Sequence, residues 1–134
     1  MVDKVMFFAA QQKKVLIIDD DNSLQRQLRF RLELREKVTV ERALIGEAGI
    51  GLAAGGNPDL IILDWMLPDI LGPEVLKRLK RDRKTADIPV LMLTGCKKVG
   101  EIEEAFELGA NDYLTKPFTL EKLGGKVRAL LGSG

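Results

Sequence analysis

Four short runs of the chain are apolar almost without interruption: Val15 to Ile18, Leu60 to Leu63, Val90 to Leu93, and the briefer Tyr113 to Thr115. Unbroken runs of this kind describe strands covered on both faces, the situation of a parallel sheet rather than of a sheet with one wet side. A fifth segment, Val38 to Arg42, alternates Val38 and Val40 with polar neighbours and reads as an edge strand.

Parallel strands cannot be joined by tight turns, so each needs a crossover, and the stretches between the runs have helical period. Asn22 and Ser23 offer an N-cap, after which Leu24, Leu28 and Leu32 recur at every fourth position. Pro73 falls where a first-turn proline belongs, with Val75, Leu76 and Leu79 behind it. Ile102, Ala105 and Phe106 form a stripe that ends at Gly109, and Leu120, Leu123, Val127, Leu130 and Leu131 form the last. The helix after the second strand is the weak one. Gly46, Gly49, Gly51, Gly55 and Gly56 crowd it, and each interior glycine costs about 0.5–1 kcal/mol relative to alanine, which predicts a short or mobile helix. Strand then helix, five times over, is an α/β doubly wound arrangement with right-handed crossovers and helices on both faces of the sheet.

A chain of 134 residues with 46% apolar content can bury a core of its own as one domain. The expected limits are an extension over 1–12, a folded unit over 13–131 and a tail over 132–134. Val5 to Ala10 is apolar but too short for a membrane span, and every other apolar run is shorter still, so a cytoplasmic protein with no membrane contact is expected. The chain has no histidine and one cysteine, Cys96. Internal disulfides, the usual zinc sites and serine or cysteine triads are thereby excluded. Its 21 basic and 20 acidic side chains give a net charge of +1, which argues against direct nucleic-acid binding by this domain.

In an open parallel α/β sheet, functional groups gather just past the carboxyl ends of the strands. There the sequence places Asp19, Asp20 and Asp21 after the first strand, Asp64 after the third, Thr94 after the fourth and Lys116 after the fifth. Crowded carboxylates are driven toward protonation unless a cation offsets them. An all-oxygen donor set selects a hard cation such as Mg²⁺, which binds through one or two carboxylates and keeps several waters. Thr94 and Lys116 are then placed to hold the oxygens of an incoming phosphoryl group. Asp21 or Asn22 serves instead as the helix cap.

These residues resemble a known family. Val15-Leu16-Ile17-Ile18-Asp19-Asp20, the segment Pro58 to Pro68 around Asp64, Pro89 to Thr94, and Gly109 to Phe118 look like the receiver domain of bacterial response regulators, over about Lys13 to Leu131. The resemblance implies a single (βα)5 flavodoxin-like domain with strand order 2-1-3-4-5. It implies that Asp64 accepts a phosphoryl group from the phosphohistidine of a sensor histidine kinase or phosphotransfer protein. Asp19, Asp20 and Asp64 would hold Mg²⁺, with the backbone carbonyl of Met66 as a further ligand. Lys116 would pair with the aspartate and then with the phosphoryl group. Thr94 would be the switch hydroxyl, Tyr113 the aromatic that follows it, and the bond before Pro117 would be cis. Phosphorylation would switch a surface for a downstream effector protein or domain. The domain would phosphorylate and slowly dephosphorylate itself without being a turnover enzyme.

Three features stand outside that pattern. Leu44, Ile45, Ile50, Ile70, Leu71 and Cys96 make the loops around the pocket apolar. They either pack locally or form a collar through which a modified receiver binds a partner or a second copy of itself. Lys77 to Lys84 is a basic run that reads as a solvated helix face. The fourth helix is acidic at Glu101, Glu103, Glu104 and Glu107, and the fifth is basic at Lys122, Lys126 and Arg128. Such opposite signs can meet across a symmetric homodimer.

Overall fold

The apolar runs do form strands, and each passes directly into a helix. In the computed structural model, which describes residues 12–95 and 99–132, the order is β1 (Lys14–Ile18), α1 (Asn22–Arg31), β2 (Thr39–Ala43), α2 (Gly46–Gly56), β3 (Leu60–Asp64), α3 (Gly72–Arg81), β4 (Val90–Thr94), α4 (Val99–Glu107), β5 (Asp112–Thr115) and α5 (Leu120–Gly132). All four strand pairings are parallel and the sheet order is β2-β1-β3-β4-β5. This is the flavodoxin-like (βα)5 arrangement. The extension expected over 1–12 lies outside the described residues except for Gln12, whose amide donates to the Lys37 carbonyl at 3.0 Å.

Because alternate residues of a strand face opposite sides, each central strand feeds two cores. Leu16, Ile18, Ile61, Leu63, Val90 and Met92 meet α2, α3 and α4 on one side. Val15, Ile17, Leu60, Ile62, Leu91 and Leu93 meet α1 and α5 on the other. The edge strand β2 buries only Val40 and Ala43, one toward each core.

The helix predicted to be short or mobile is neither short nor interrupted: α2 runs for 11 residues. Its glycines are not all alike. A Cβ on Gly46 would stand 2.6 Å from Ile70 Cγ1 and 2.8 Å from Val75 Cγ2, and one on Gly49 would collide with the Ile18 side chain. At these two positions the glycines allow close packing against the sheet and α3, which offsets their unfavourable helix propensity. Gly51 and Gly55 face open space.

The first helix starts where Asp21, rather than Asn22, caps it, accepting from the N–H groups of Ser23 at 2.9 Å and Leu24 at 3.1 Å. It continues as a π-helical turn over Leu32–Glu36 and ends at Lys37 in a left-handed conformation, φ 57°. Gly109, with φ 108°, closes the turn after α4, where only glycine is free of strain. The basic run over 77–84 is only partly a solvated face. Arg78 grips Glu47 of α2 through both guanidinium nitrogens, at 2.6 and 3.1 Å. Lys80 turns inward to donate to the carbonyls of Ala86 and Ile88, and burial holds its ammonium below the usual lysine range against the pull of Asp87.

Candidate functional site: an acidic cradle at the strand ends

Three strands end side by side at the centre of the sheet, and each delivers a polar group to the same rim. Asp19 follows β1 and is fully buried, Asp64 ends β3 at 6% exposure, and Thr94 ends β4 at 3%. Lys116 follows β5, with its backbone N–H donating to the Thr94 carbonyl at 2.8 Å.

The Lys116 ammonium joins two of these strands. It donates to Asp19 Oδ2 at 3.0 Å and to Asp64 Oδ1 at 3.1 Å. Burial, then the nearby Asp19 charge, push the Asp64 carboxyl above its ordinary range, and Lys116 acts in the opposite sense. For Lys116, burial alone would lower the ammonium, but its bonds and attraction to Asp19 and Asp64 outweigh that and raise it. One ammonium thus stands against three carboxylates, since Asp19, Asp20 and Asp64 each bring an oxygen within 4.8 Å of the others. The donors are all oxygen, two of the three residues are buried, and the excess charge is negative. That set fits a hard divalent cation and suits no soft metal.

Main-chain bonds fix the first carboxylate. The Asp19 N–H donates to the Ala43 carbonyl at 3.0 Å, and Asp19 Oδ1 accepts from the Asp21 N–H at 2.9 Å. On the other side, the loop after β3 turns back on itself, with the Gly72 N–H donating to the Trp65 carbonyl at 2.7 Å. A Cβ on Gly72 would collide with the Asp64 carbonyl, so this position next to the buried aspartate requires glycine.

The remaining expected site residues lie around this centre. Met66 is exposed and shares a shallow pocket with Trp65, Thr94, Gly95 and Glu101. Tyr113 stands on β5, edge-on to Phe106 of α4 with centroids 5.7 Å apart and 6.0 Å from the Lys126 ammonium. The Lys116–Pro117 bond is cis.

A family model for the response regulator receiver domain matches residues 15–128. The chain belongs to that family. The receiver is 51% identical over 92 residues to the DNA-binding dual master transcriptional regulator RpaA of Synechocystis sp., which covers 69% of this chain and 38% of the relative. It is 48% identical over 75 residues to the phosphate regulon transcriptional regulatory protein PhoB of Pseudomonas aeruginosa, covering 56% of this chain and 33% of the relative. The receiver therefore spans well under half the length of these curated relatives. Among solved structures it resembles the Francisella response regulator 1452 receiver domain, with a TM-score of 0.84 and 30% identity over 91% of this chain and 98% of that one. Vibrio cholerae CheY4 gives the same TM-score at 29% identity, covering 90% and 99%. Receiver domains of this kind are signalling modules of two-component systems. No helix among the described residues is long and apolar enough to cross a membrane.

The collar reading divides. Ile50 and Ile70 pack against the core, whereas Leu44, Ile45 and Leu71 remain 36%, 40% and 51% exposed. Cys96 lies outside the described residues. Of the basic groups on α5, Lys126 pairs with Asp112 at 2.9 Å and Arg128 with Glu36 at 2.7 Å, so both are engaged within the chain.

Two residues at this rim escaped sequence reasoning. Asp69 accepts from the N–H groups of Gly46 at 2.7 Å and Glu47 at 2.9 Å, capping α2 from the neighbouring loop. Gln25 is buried beneath Asp19. Its one visible signal is its place three residues before Leu28, on the inward side of α1.

Proposed function

We propose that this receiver accepts a phosphoryl group on Asp64 from the phosphohistidine of a sensor histidine kinase or phosphotransfer protein, and that the added charge switches a surface read by a downstream effector protein or domain. The observation that carries this reading is the Lys116 ammonium held between Asp19 and Asp64, which leaves Asp64 at the centre of a cradle built for charge transfer.

An Asp64 carboxylate oxygen attacks phosphorus, the phosphorus–nitrogen bond of the donor breaks, and the freed imidazole takes its proton from solvent. Lys116 holds Asp64 in position and supplies positive charge to the phosphoryl oxygens as they pass. Asp19 and Asp20, with Asp64 and the Met66 carbonyl, would hold Mg²⁺, which when bound neutralises charge on the transferred group. Thr94, buried at the end of β4, is the hydroxyl proposed to answer the new charge, with Tyr113 following it. The 134 residues contain no histidine, so the donor phosphohistidine lies outside them. The names of the relatives support transcription as the output.

Treatment with acetyl phosphate and Mg²⁺, followed by intact-mass measurement, tests the reading. The wild-type chain is expected to gain one phosphoryl group and Asp64→Asn none. Labelling that survives Asp64→Asn, or no labelling at all, refutes it.

The exposed Leu44, Ile45 and Leu71 support a second reading, self-association through the rim loops. A strictly monomeric mass by light scattering at high concentration removes it.

A further inference from the structure

Gln25 is a buried polar residue that the cradle does not use. It lies on α1 at 1% exposure, on the side of the helix that carries the apolar residues Leu28 and Leu32. Its side-chain nitrogen Nε2 donates to three main-chain carbonyls: Ile17 at 2.9 Å, Asp19 at 3.0 Å and Ala43 at 3.1 Å. The opposite end of the same carboxamide, Oε1, is buried with no hydrogen-bond partner. Turning the amide over would set that oxygen against three carbonyl oxygens, so the orientation is fixed.

Two of the three carbonyls, Ile17 and Asp19, belong to the β1 segment that presents the acidic pair, and the third, Ala43, ends the neighbouring β2. Asp19 already donates its own N–H to Ala43, and Gln25 takes the Asp19 carbonyl, so the main chain is held on both sides of the residue. Its carboxylate is held at both oxygens, by the Asp21 N–H and the Lys116 ammonium. With the backbone and the side chain both fixed, the Asp19 carboxylate has one direction available, and the chain enters Asp20 at a set angle. A buried acceptor left without a partner is a standing cost in a fold, tolerated where the group serves something else.

We infer that Gln25 is a positioning residue for the cation site: it sets the Asp19–Asp20 main chain from beneath, so that the two carboxylates converge with Asp64 on one metal ion. This rests on the reading of the cradle as a Mg²⁺ site. Groups that orient metal ligands from behind are worth about 10- to 100-fold in metal affinity when removed.

The test is Mg²⁺ titration of the full chain, followed by the fluorescence of Trp65, the single tryptophan and the neighbour of Asp64. Gln25→Met keeps the length of the side chain and removes the donor. Its Mg²⁺ dissociation constant is expected to rise at least 10-fold, while its melting midpoint in chelator falls little; an affinity within about twofold of wild type overturns the inference. If the variant does not fold, the wild-type protein decides. The Gln25 side-chain amide resonances are expected to shift as Mg²⁺ is added, with those of the exposed Gln27 unmoved. A Gln25 amide that stays still while the Asp19 backbone amide shifts overturns the inference. Absence of any Mg²⁺ response in the wild type removes the cation reading itself, and the role of Gln25 with it.

Discussion

The carboxylate of Asp69 accepts the backbone N–H of Gly46 at 2.7 Å, although 23 residues separate the two. The loop that leaves the acidic cradle therefore caps the helix on its flank. No residue at the start of α2 offers a side-chain cap, since Ile45 occupies that position, and Asp69 supplies from across space what Asp21 supplies to α1 locally.

Asp69 should consequently carry a pH signature. Its bond from the Glu47 N–H, joined by that from Gly46 and opposed by slight burial, holds the carboxyl below its ordinary value of 3.8. A carboxyl lowered in the folded state contributes stability above its unfolded value, and the contribution is lost as pH falls through the folded value. Asp69→Ala is expected to melt at a lower temperature than wild type at neutral pH, and the gap should close in strong acid. A gap that is unchanged by acid in thermal melts would contradict this.

Removing the shared ammonium should be costly in two respects. Lys116→Met leaves the fully buried Asp19 and the nearly buried Asp64 facing each other without a counter-charge. Breaking a buried pair on one side typically costs 3–5 kcal/mol. With Lys116 partly exposed to solvent, about 3 kcal/mol is expected by urea denaturation in chelator, with recovery when Mg²⁺ is added. Acetyl phosphate labelling should slow about 100-fold, the scale of losing one preorganised charge donor. Unchanged labelling would show that Lys116 serves the fold alone.

Asp64 is expected to oppose folding. Burial, and then the Asp19 charge, raise its carboxyl above 3.8 in spite of Lys116. An acid raised in the folded state destabilises once pH exceeds its folded value, and that cost vanishes below the unfolded value. Asp64→Asn should melt above wild type at neutral pH in chelator, with the difference disappearing near about pH 3. Mg²⁺ should stabilise the wild type more than the variant. A variant that melts lower throughout would reverse the assignment.

The glycines of α2 separate into two kinds by alanine substitution. Gly49→Ala drives a methyl into the buried Ile18, whose Cγ1 would lie 2.7 Å from the new carbon. Overpacking of about 1–3 kcal/mol less a helix-propensity gain of about 0.5–1 leaves a net loss of up to about 2.5 kcal/mol. Gly51→Ala meets nothing within 4 Å and should stabilise by about 0.5–1 kcal/mol. Chemical denaturation distinguishes the two, and equal effects would show that packing does not decide them.

The same contrast marks what the sequence made legible. Asp19, Asp64, Thr94 and Lys116 could be found because each directly follows an apolar run, and strand ends of a parallel sheet share a rim. Asp69 could not, because its partners are the first residues of α2, far back in the chain, and its spacing resembles that of any turn aspartate. Gln25 could not, because an amide side chain hides its burial from any hydrophobicity pattern. The continuity of α2 was misjudged because a glycine's cost is local and visible, whereas the benefit at Gly46 and Gly49 comes from Ile70, Val75 and Ile18, far away in the chain. Arg78 and Lys80 belong to a basic run, yet one reaches another helix and the other turns toward carbonyls.

The two cores on either side of the sheet have no side chain in common, Leu28 and Leu32 lying beneath α1, Leu76 and Leu79 beneath α3. Faults under one layer reach the other only through the backbone of the shared strands, and sites without common partners contribute nearly additively. The molecule can therefore accumulate substitutions around α1 and α5 while α2, α3 and α4 keep their packing, or the reverse. The acidic rim is the place where both histories must still agree, because its carboxylates stand on strands that belong to both.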